Sequence, residues 1–190
     1  AMFNLGMMKQ MLRKYEEAKD ILVKCAEQDP RRADVHSELG FTWAKLGNHM
    51  QAQICFQIAL SIDPDYTPET RVALGNLFQT VGRFDESVEQ YDVAIEQNEK
   101  CTPALNAKGM ALRKSGKFNA SLDAILKSKG VNPTNIETLN QLGSAYQAIG
   151  DNEKATDVFR RTVELNPNLE ASRKCLLFII LNDPNLTSQE

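Results

Sequence analysis

The sequence predicts an all-α solenoid, built from helix-turn-helix units stacked along one axis. Three observations predict it. A Leu-Gly step, or Lys-Gly in one copy, recurs at Leu5-Gly6, Leu39-Gly40, Leu74-Gly75, Lys108-Gly109 and Leu142-Gly143, with spacings of 34, 35, 34 and 34 residues. A period in that range marks a stacked repeat. A second glycine follows in four copies as Gly47, Gly82, Gly116 and Gly150, with Arg13 at that place in the first. An Asp/Asn-Pro step closes four copies, at Asp29-Pro30, Asp63-Pro64, Asn132-Pro133 and Asn166-Pro167; the third copy has Asn98-Glu99 instead.

Each unit reads as two helices, A and B. Leu139, Leu142 and Tyr146 fall at helical spacing on the first, and Ala155, Phe159 and Val163 on the second. A glycine inside helix A costs about 1 kcal/mol against Ala. The cost is offset if the missing β-carbon lets helix B approach. A small residue recurs at the matching place of helix B, as Ala18, Ala52, Ser87, Ser121 and Ala155. Trp43, Phe56, Phe78, Tyr91, Tyr146 and Phe159 then fill the flanking space. The second glycine falls where helix A must stop, because glycine takes a left-handed C-cap without steric cost. Proline ends helix B and opens the next helix A. No single unit can bury its apolar face alone, so neighbours must stack.

These residues resemble the tetratricopeptide repeat family, whose unit is a 34-residue helix-turn-helix. The small residues at unit positions 8 and 20 and the proline at 32 match closely in residues 33–66 and 136–169. The resemblance covers residues 1–169. Residues 68–101 lack the proline and follow a loop, "DYTPET", that is one residue longer; residues 102–135 put Lys108 where leucine is usual. The resemblance implies a right-handed superhelix. It divides a single domain, 1–190, into units 1–32, 33–67, 68–101, 102–135 and 136–169, a C-terminal capping helix at about 169–182 and a polar tail, 183–190.

Composition bounds the function. The chain is 42% hydrophobic with seven prolines, which describes an ordered, soluble protein, and no apolar run nears the ~20 residues of a membrane span. No signal peptide is visible, and Ala1-Met2 reads as a cloning scar; a cytoplasmic setting is expected. Cys25, Cys55, Cys101 and Cys175 lie far apart without a C-x-x-C pair, which fits a reducing compartment and small buried hydrophobes rather than zinc. His36 and His49 have no ligand partner at helical spacing. There is no nucleophile elbow, phosphate loop or HExxH. The chain is read as a non-enzyme without cofactor or metal. A net charge of −3 argues against nucleic acid. The sequons at Asn119 and Asn185 are read as chance, since Ser121 holds a packing position.

The resemblance also implies a concave groove lined by the A helices, mainly from unit positions 2, 5, 9, 12 and 13. Those positions bring Phe3, Met7, Phe41, Lys45, Asn76, Gln79, Asn106, Met110, Arg113, Lys114, Asn140, Ser144 and Gln147 to the groove. The groove is apolar at its N-terminal end and amide-rich beyond. Side-chain amides can donate to and accept from a peptide backbone, at about 0.5–1.5 kcal/mol net for each bond. The expected ligand is an extended or helical peptide held by amides and anchored near Phe41. The lysine-asparagine-arginine clamp with which chaperone-binding members hold a C-terminal carboxylate has no counterpart. Its five positions read Phe3, Met7, Glu38, Glu69 and Ala73 from the first unit, and are no more cationic from the second or third.

Residues 68–101 hold seven acidic and three basic residues, and residues 102–135 one acidic and six basic. Arg113, Lys114 and Lys117 cluster at one helix end, where an acidic partner segment could dock. The ends are less polar than solenoid caps usually are. Met2, Met7, Met8 and Met11 crowd the first helix, and "CLLFIIL" (Cys175–Leu181) reads as the A helix of an unfinished sixth unit. Leu177, Phe178, Ile179 and Ile180 form either a cap packed on the fifth unit or a self-association surface. The sequence therefore supports a peptide-binding interaction scaffold, a homo-oligomer assembled through its apolar ends, or a targeting module of a larger protein.

Overall fold

The computed structural model describes residues 1–182; the expected polar tail, with Pro184 and the Asn185 sequon, lies outside them. The described residues form eleven helices and no strands. They alternate as A and B: α1 (Met2–Met11), α2 (Tyr15–Gln28), α3 (Ala33–Lys45), α4 (His49–Ile62), α5 (Pro68–Thr80), α6 (Phe84–Gln97), α7 (Thr102–Lys114), α8 (Phe118–Val131), α9 (Ile136–Ala148), α10 (Asn152–Leu165) and α11 (Glu170–Asn182). The chain divides into two compact bodies. The N-terminal body, Ala1–Gln97, holds α1–α6, and the C-terminal body, from Asn98 on, holds α7–α11. Within each body, every A helix packs on its own B helix, and each B helix packs on the next A helix.

Glycine and a large side chain sixteen residues later form the joint of each repeat. A β-carbon added to Gly6, Gly40, Gly75, Gly109 or Gly143 would come within 2.3 to 3.0 Å of Leu22, Phe56, Tyr91, Ile125 or Phe159 respectively. The small residue of helix B was expected to face this gap. It is buried in all five repeats, and Ser121 Oγ donates to the Gly109 carbonyl at 2.7 Å. The space left by the missing β-carbon, however, is taken by the side chain four residues further on. In three repeats that side chain also reaches the next A helix. Phe56 clusters with Leu74 and Leu77 of α5, Leu22 with Leu39 of α3, and Phe159 with Ile179 of α11. Burying one such side chain contributes about 1.5–3 kcal/mol.

The turns follow from backbone chemistry. Gly47, Gly82, Gly116 and Gly150 have φ between 79° and 83°, and Arg13 takes the same left-handed region at 57°. In each, two amides bond back onto the last turn, as with Arg13 N to Gln10 O and Lys14 N to Lys9 O. The B-to-A turns are held by the Asx side chain rather than by proline. Asp29, Asp63, Asn98, Asn132 and Asn166 each accept, through Oδ1, from the amide two residues on. Asn98 thus makes the turn without the proline that the third repeat lacks. Pro30, Pro64, Pro133 and Pro167 lie in the turns and do not open the next helix; Pro68 and Pro103 occupy first-turn positions of α5 and α7. The longer loop before α5 is tied down by Arg71, which donates to the Pro64 carbonyl, and by Gln97, which donates to that carbonyl and to Asp65.

Candidate functional site

In the N-terminal body the expected groove residues come from α1, α3 and α5. Phe3 is half-buried, with the Arg32 guanidinium 4.9 Å from its ring centre. Phe41 stands edge-on to Phe56, with ring centres 5.0 Å apart and planes at 72°. Beside it opens a cavity of about 260 Å³, lined by Gln10, Met11, Tyr15, Phe41, Thr42 and Lys45. Gln10 Nε2 sets one wall, donating to Thr42 Oγ1 at 2.6 Å and to the Glu38 carbonyl at 2.9 Å. Lys45 is exposed at the rim and makes no ion pair among the described residues. The half-buried Glu38 carboxyl is pushed above its ordinary range by burial, against the opposing pull of Gln10. Met7 is half-buried on α1.

Further along, the Tyr91 hydroxyl lies between two amides, 2.8 Å from Asn76 Oδ1 and 3.1 Å from Gln79 Oε1. Burial pushes this phenol above its ordinary value. Gln79 is buried and Asn76 exposed, so of the two only Asn76 presents its amide to solvent.

In the C-terminal body the amide row is largely consumed by the fold. Asn106 is 2% exposed and exchanges hydrogen bonds with Thr138 at 3.0 and 3.2 Å. Asn140 Oδ1 accepts from Ser172. Ser37 and Thr70 are joined in the same way in the N-terminal body, at 2.7 Å. All three pairs link unit position 5 to unit position 3 of the next repeat. Asn106 was expected to face a ligand; burial and its Thr138 bonds instead make it a tie between successive A helices. Met110 receives a contact from Gln141 Nε2 at 3.9 Å, while Arg113, Ser144 and Gln147 are half-buried and Lys114 is exposed.

Helix α11 divides by face. Ile179 is 3% exposed, packed with Ala155 and Phe159, so it cannot belong to a surface open to another chain. It occupies unit position 10, which is buried also at Thr42, Leu77, Ala111 and Ala145. Leu177, Phe178 and Leu181 are exposed and Ile180 is half-buried.

The sequence reading missed Gln10, Met11, Tyr15 and Thr42. The signal for Gln10 and Met11 was present, since they hold unit positions 12 and 13 of the first repeat. Among the described residues no three His, Cys, Asp or Glu side chains are placed to hold a metal, and no helix is long and apolar enough to cross a membrane.

Family models described as tetratricopeptide repeat match residues 1–31 and 136–169, the first and fifth repeats. The chain carries tetratricopeptide repeats. Among solved structures, the tetratricopeptide repeat protein YrrB, described as having an unusual peptide-binding site, superposes with a TM-score of 0.77 at 18% identity, covering 91% of this chain and 89% of that one. MamA from Desulfovibrio magneticus superposes with a TM-score of 0.80 at 17% identity, covering 88% and 94%. The BBSome complex member BBS4 homolog of Drosophila melanogaster is 23% identical over 136 residues, 72% of this chain and 28% of the relative. This tetratricopeptide repeat chain spans less than a third of the length of such curated relatives.

Proposed function

We propose that the chain is a non-enzymatic interaction scaffold that holds a partner peptide against its A helices. The observation that carries this reading is the cavity beside Phe41. Its walls are Met11, Tyr15 and Phe41, and its rim carries the unpaired Lys45, so it suits an apolar side chain next to a carboxylate. Asn76 supplies an exposed amide further along the same body. In the C-terminal body, Arg113 and Lys114, with Lys117 beyond the helix end, suit an acidic segment of the same partner class. The likeness to a repeat protein with a peptide-binding site, and to a member of a protein complex, supports a binding role.

The test is selection of peptides from a random display library on the wild-type protein, followed by measurement on a Met11→Glu/Lys45→Glu variant. Both residues are exposed, so the fold is retained. Selected peptides should share an apolar residue beside an acidic one and lose about tenfold or more in affinity to the variant. Unchanged affinity removes the cavity as the anchor.

A second reading is self-association through the ends. It is favoured by the exposed Leu5 and Met8 of α1 and the exposed Leu177 and Leu181 of α11. Light-scattering mass over a hundredfold concentration range decides it; a constant monomer mass removes it.

A further inference from the structure

The outer face of α4 breaks the pattern of every other B helix. Unit positions 18, 22 and 26 there are Met50, Ile54 and Ile58, spaced four apart on one face and 73%, 42% and 36% exposed. The same positions read Glu16, Asp20 and Lys24 in α2, and Asp85, Glu89 and Val93 in α6. In the remaining two B helices all three are polar or charged. The repeats serve as internal controls: each of the other four B helices is polar or charged at two or three of these places, and α4 at none. Helix α4 also contains no Asp, Glu, Lys or Arg. Nothing in the packing of the repeat requires this, because Ala52, Phe56 and Ala59 already fill the buried face.

The surroundings state what would cover the stripe. The B helices of the repeats before and after it are acidic. Helix α6 carries five carboxylates and no lysine or arginine, and α2 carries four carboxylates against two lysines. Pairing this face with a second copy would set acidic helices against acidic helices. An anionic membrane would meet the same repulsion. A helix with an apolar face bordered by lysine or arginine satisfies both features at once.

We propose that the Met50–Ile54–Ile58 face of α4 is a docking surface for a basic amphipathic helix of a partner protein. It is separate from the Phe41 cavity, which belongs to the A-helix side, so the two readings fail independently.

The probe is a fluorescein-labelled helix of about 18 residues made of leucine and lysine, with the leucines on one face, about five turns long. Its controls are a scrambled peptide of the same composition and a leucine-glutamate counterpart. The leucine-lysine helix should bind the wild type, and its Kd should rise about tenfold or more in Ile54→Gln/Ile58→Gln, which alters no charge. Glu89→Lys should weaken it too. Met11→Glu/Lys45→Glu should leave it unchanged, and the leucine-glutamate helix should not bind. Three results defeat the proposal. One is equal binding of the scrambled peptide, which reports charge alone. Another is unchanged binding to the glutamine variant. The third is Ile54-dependent self-association, or Ile54-dependent binding to phosphatidylglycerol vesicles, which assigns the stripe to a second copy or to a membrane. Thermal melting of each variant confirms folding, since exposed substitutions of this kind stay within about 0.5 kcal/mol.

Discussion

The Tyr91 ring fills the space beside Gly75 so completely that a β-carbon on Gly75 would stand 2.5 Å from Tyr91 Cε1. Glycine to alanine in an exposed helix interior normally gains up to about 1 kcal/mol. At Gly75 overpacking against a fully buried aromatic reverses the sign, at about 1–3 kcal/mol of lost stability. Gly130 in α8 is the control, because a β-carbon there meets nothing within 4 Å. Urea denaturation should show Gly75→Ala destabilised and Gly130→Ala unchanged or stabilised. The same sign at both positions would sink the close-approach account of the repeat joint.

Arg13 holds the left-handed C-cap that glycine holds in the other four repeats. A side chain in that region costs about 1–2 kcal/mol. Arg13→Gly therefore removes strain without removing a capping bond, since both bonds use backbone atoms. Its thermal midpoint should rise. A fall would mean that the Arg13 side chain contributes more than its backbone conformation costs.

The repeat register, the glycine caps and the helix pairs were legible because each depends on a residue type that chemistry restricts, such as Gly47 at positive φ. The pairing of Gly40 with Phe56 was legible as well, as a sixteen-residue offset kept five times, although the small residue at Ala52 drew attention first. The inter-repeat ties were harder to see. Ser37, Asn106 and Asn140 look like groove polar residues until position 5 is read together with position 3 of the next repeat. Polar then meets polar at Ser37/Thr70, Asn106/Thr138 and Asn140/Ser172, and apolar meets apolar at Phe3/Val35. The burial of Ile179 within an all-apolar run was not legible locally, because only the register of α11 on α10 tells its faces apart.

Ile179 and Leu177 differ by two residues and should differ in stability. Ile179→Ala opens a cavity between Ala155 and Phe159 and should cost about 2–4 kcal/mol. Leu177→Ala removes an exposed side chain and should change stability by less than about 0.5 kcal/mol. Equal losses in chemical denaturation would place α11 in a different rotation.

Asn106→Ala separates a structural tie from a ligand contact. The change leaves Thr138 with Asn135 and Ser128 but removes both bonds to Asn106, for an expected loss of about 1–3 kcal/mol. Peptide affinity measured well below the unfolding midpoint should be unaffected. A variant of wild-type stability that loses binding would return Asn106 to the groove.

Glu38 should make stability depend on pH in the direction opposite to a salt-bridged carboxylate. Burial raises its pKa in the folded state, and Asp34 adds to the rise. The folded protein therefore keeps the proton at pH values where the unfolded chain has released it. Stability is lost as pH rises from the unfolded value through the folded one, and the ionised carboxylate then carries its burial cost at neutral pH. Glu38→Gln keeps the shape and removes the charge. Denaturation at neutral pH should show the variant more stable than the wild type, and the difference should shrink as pH falls below the ordinary carboxylate range. A difference that stayed constant with pH would trace the effect to packing around Gln10 and Thr42 rather than to ionisation.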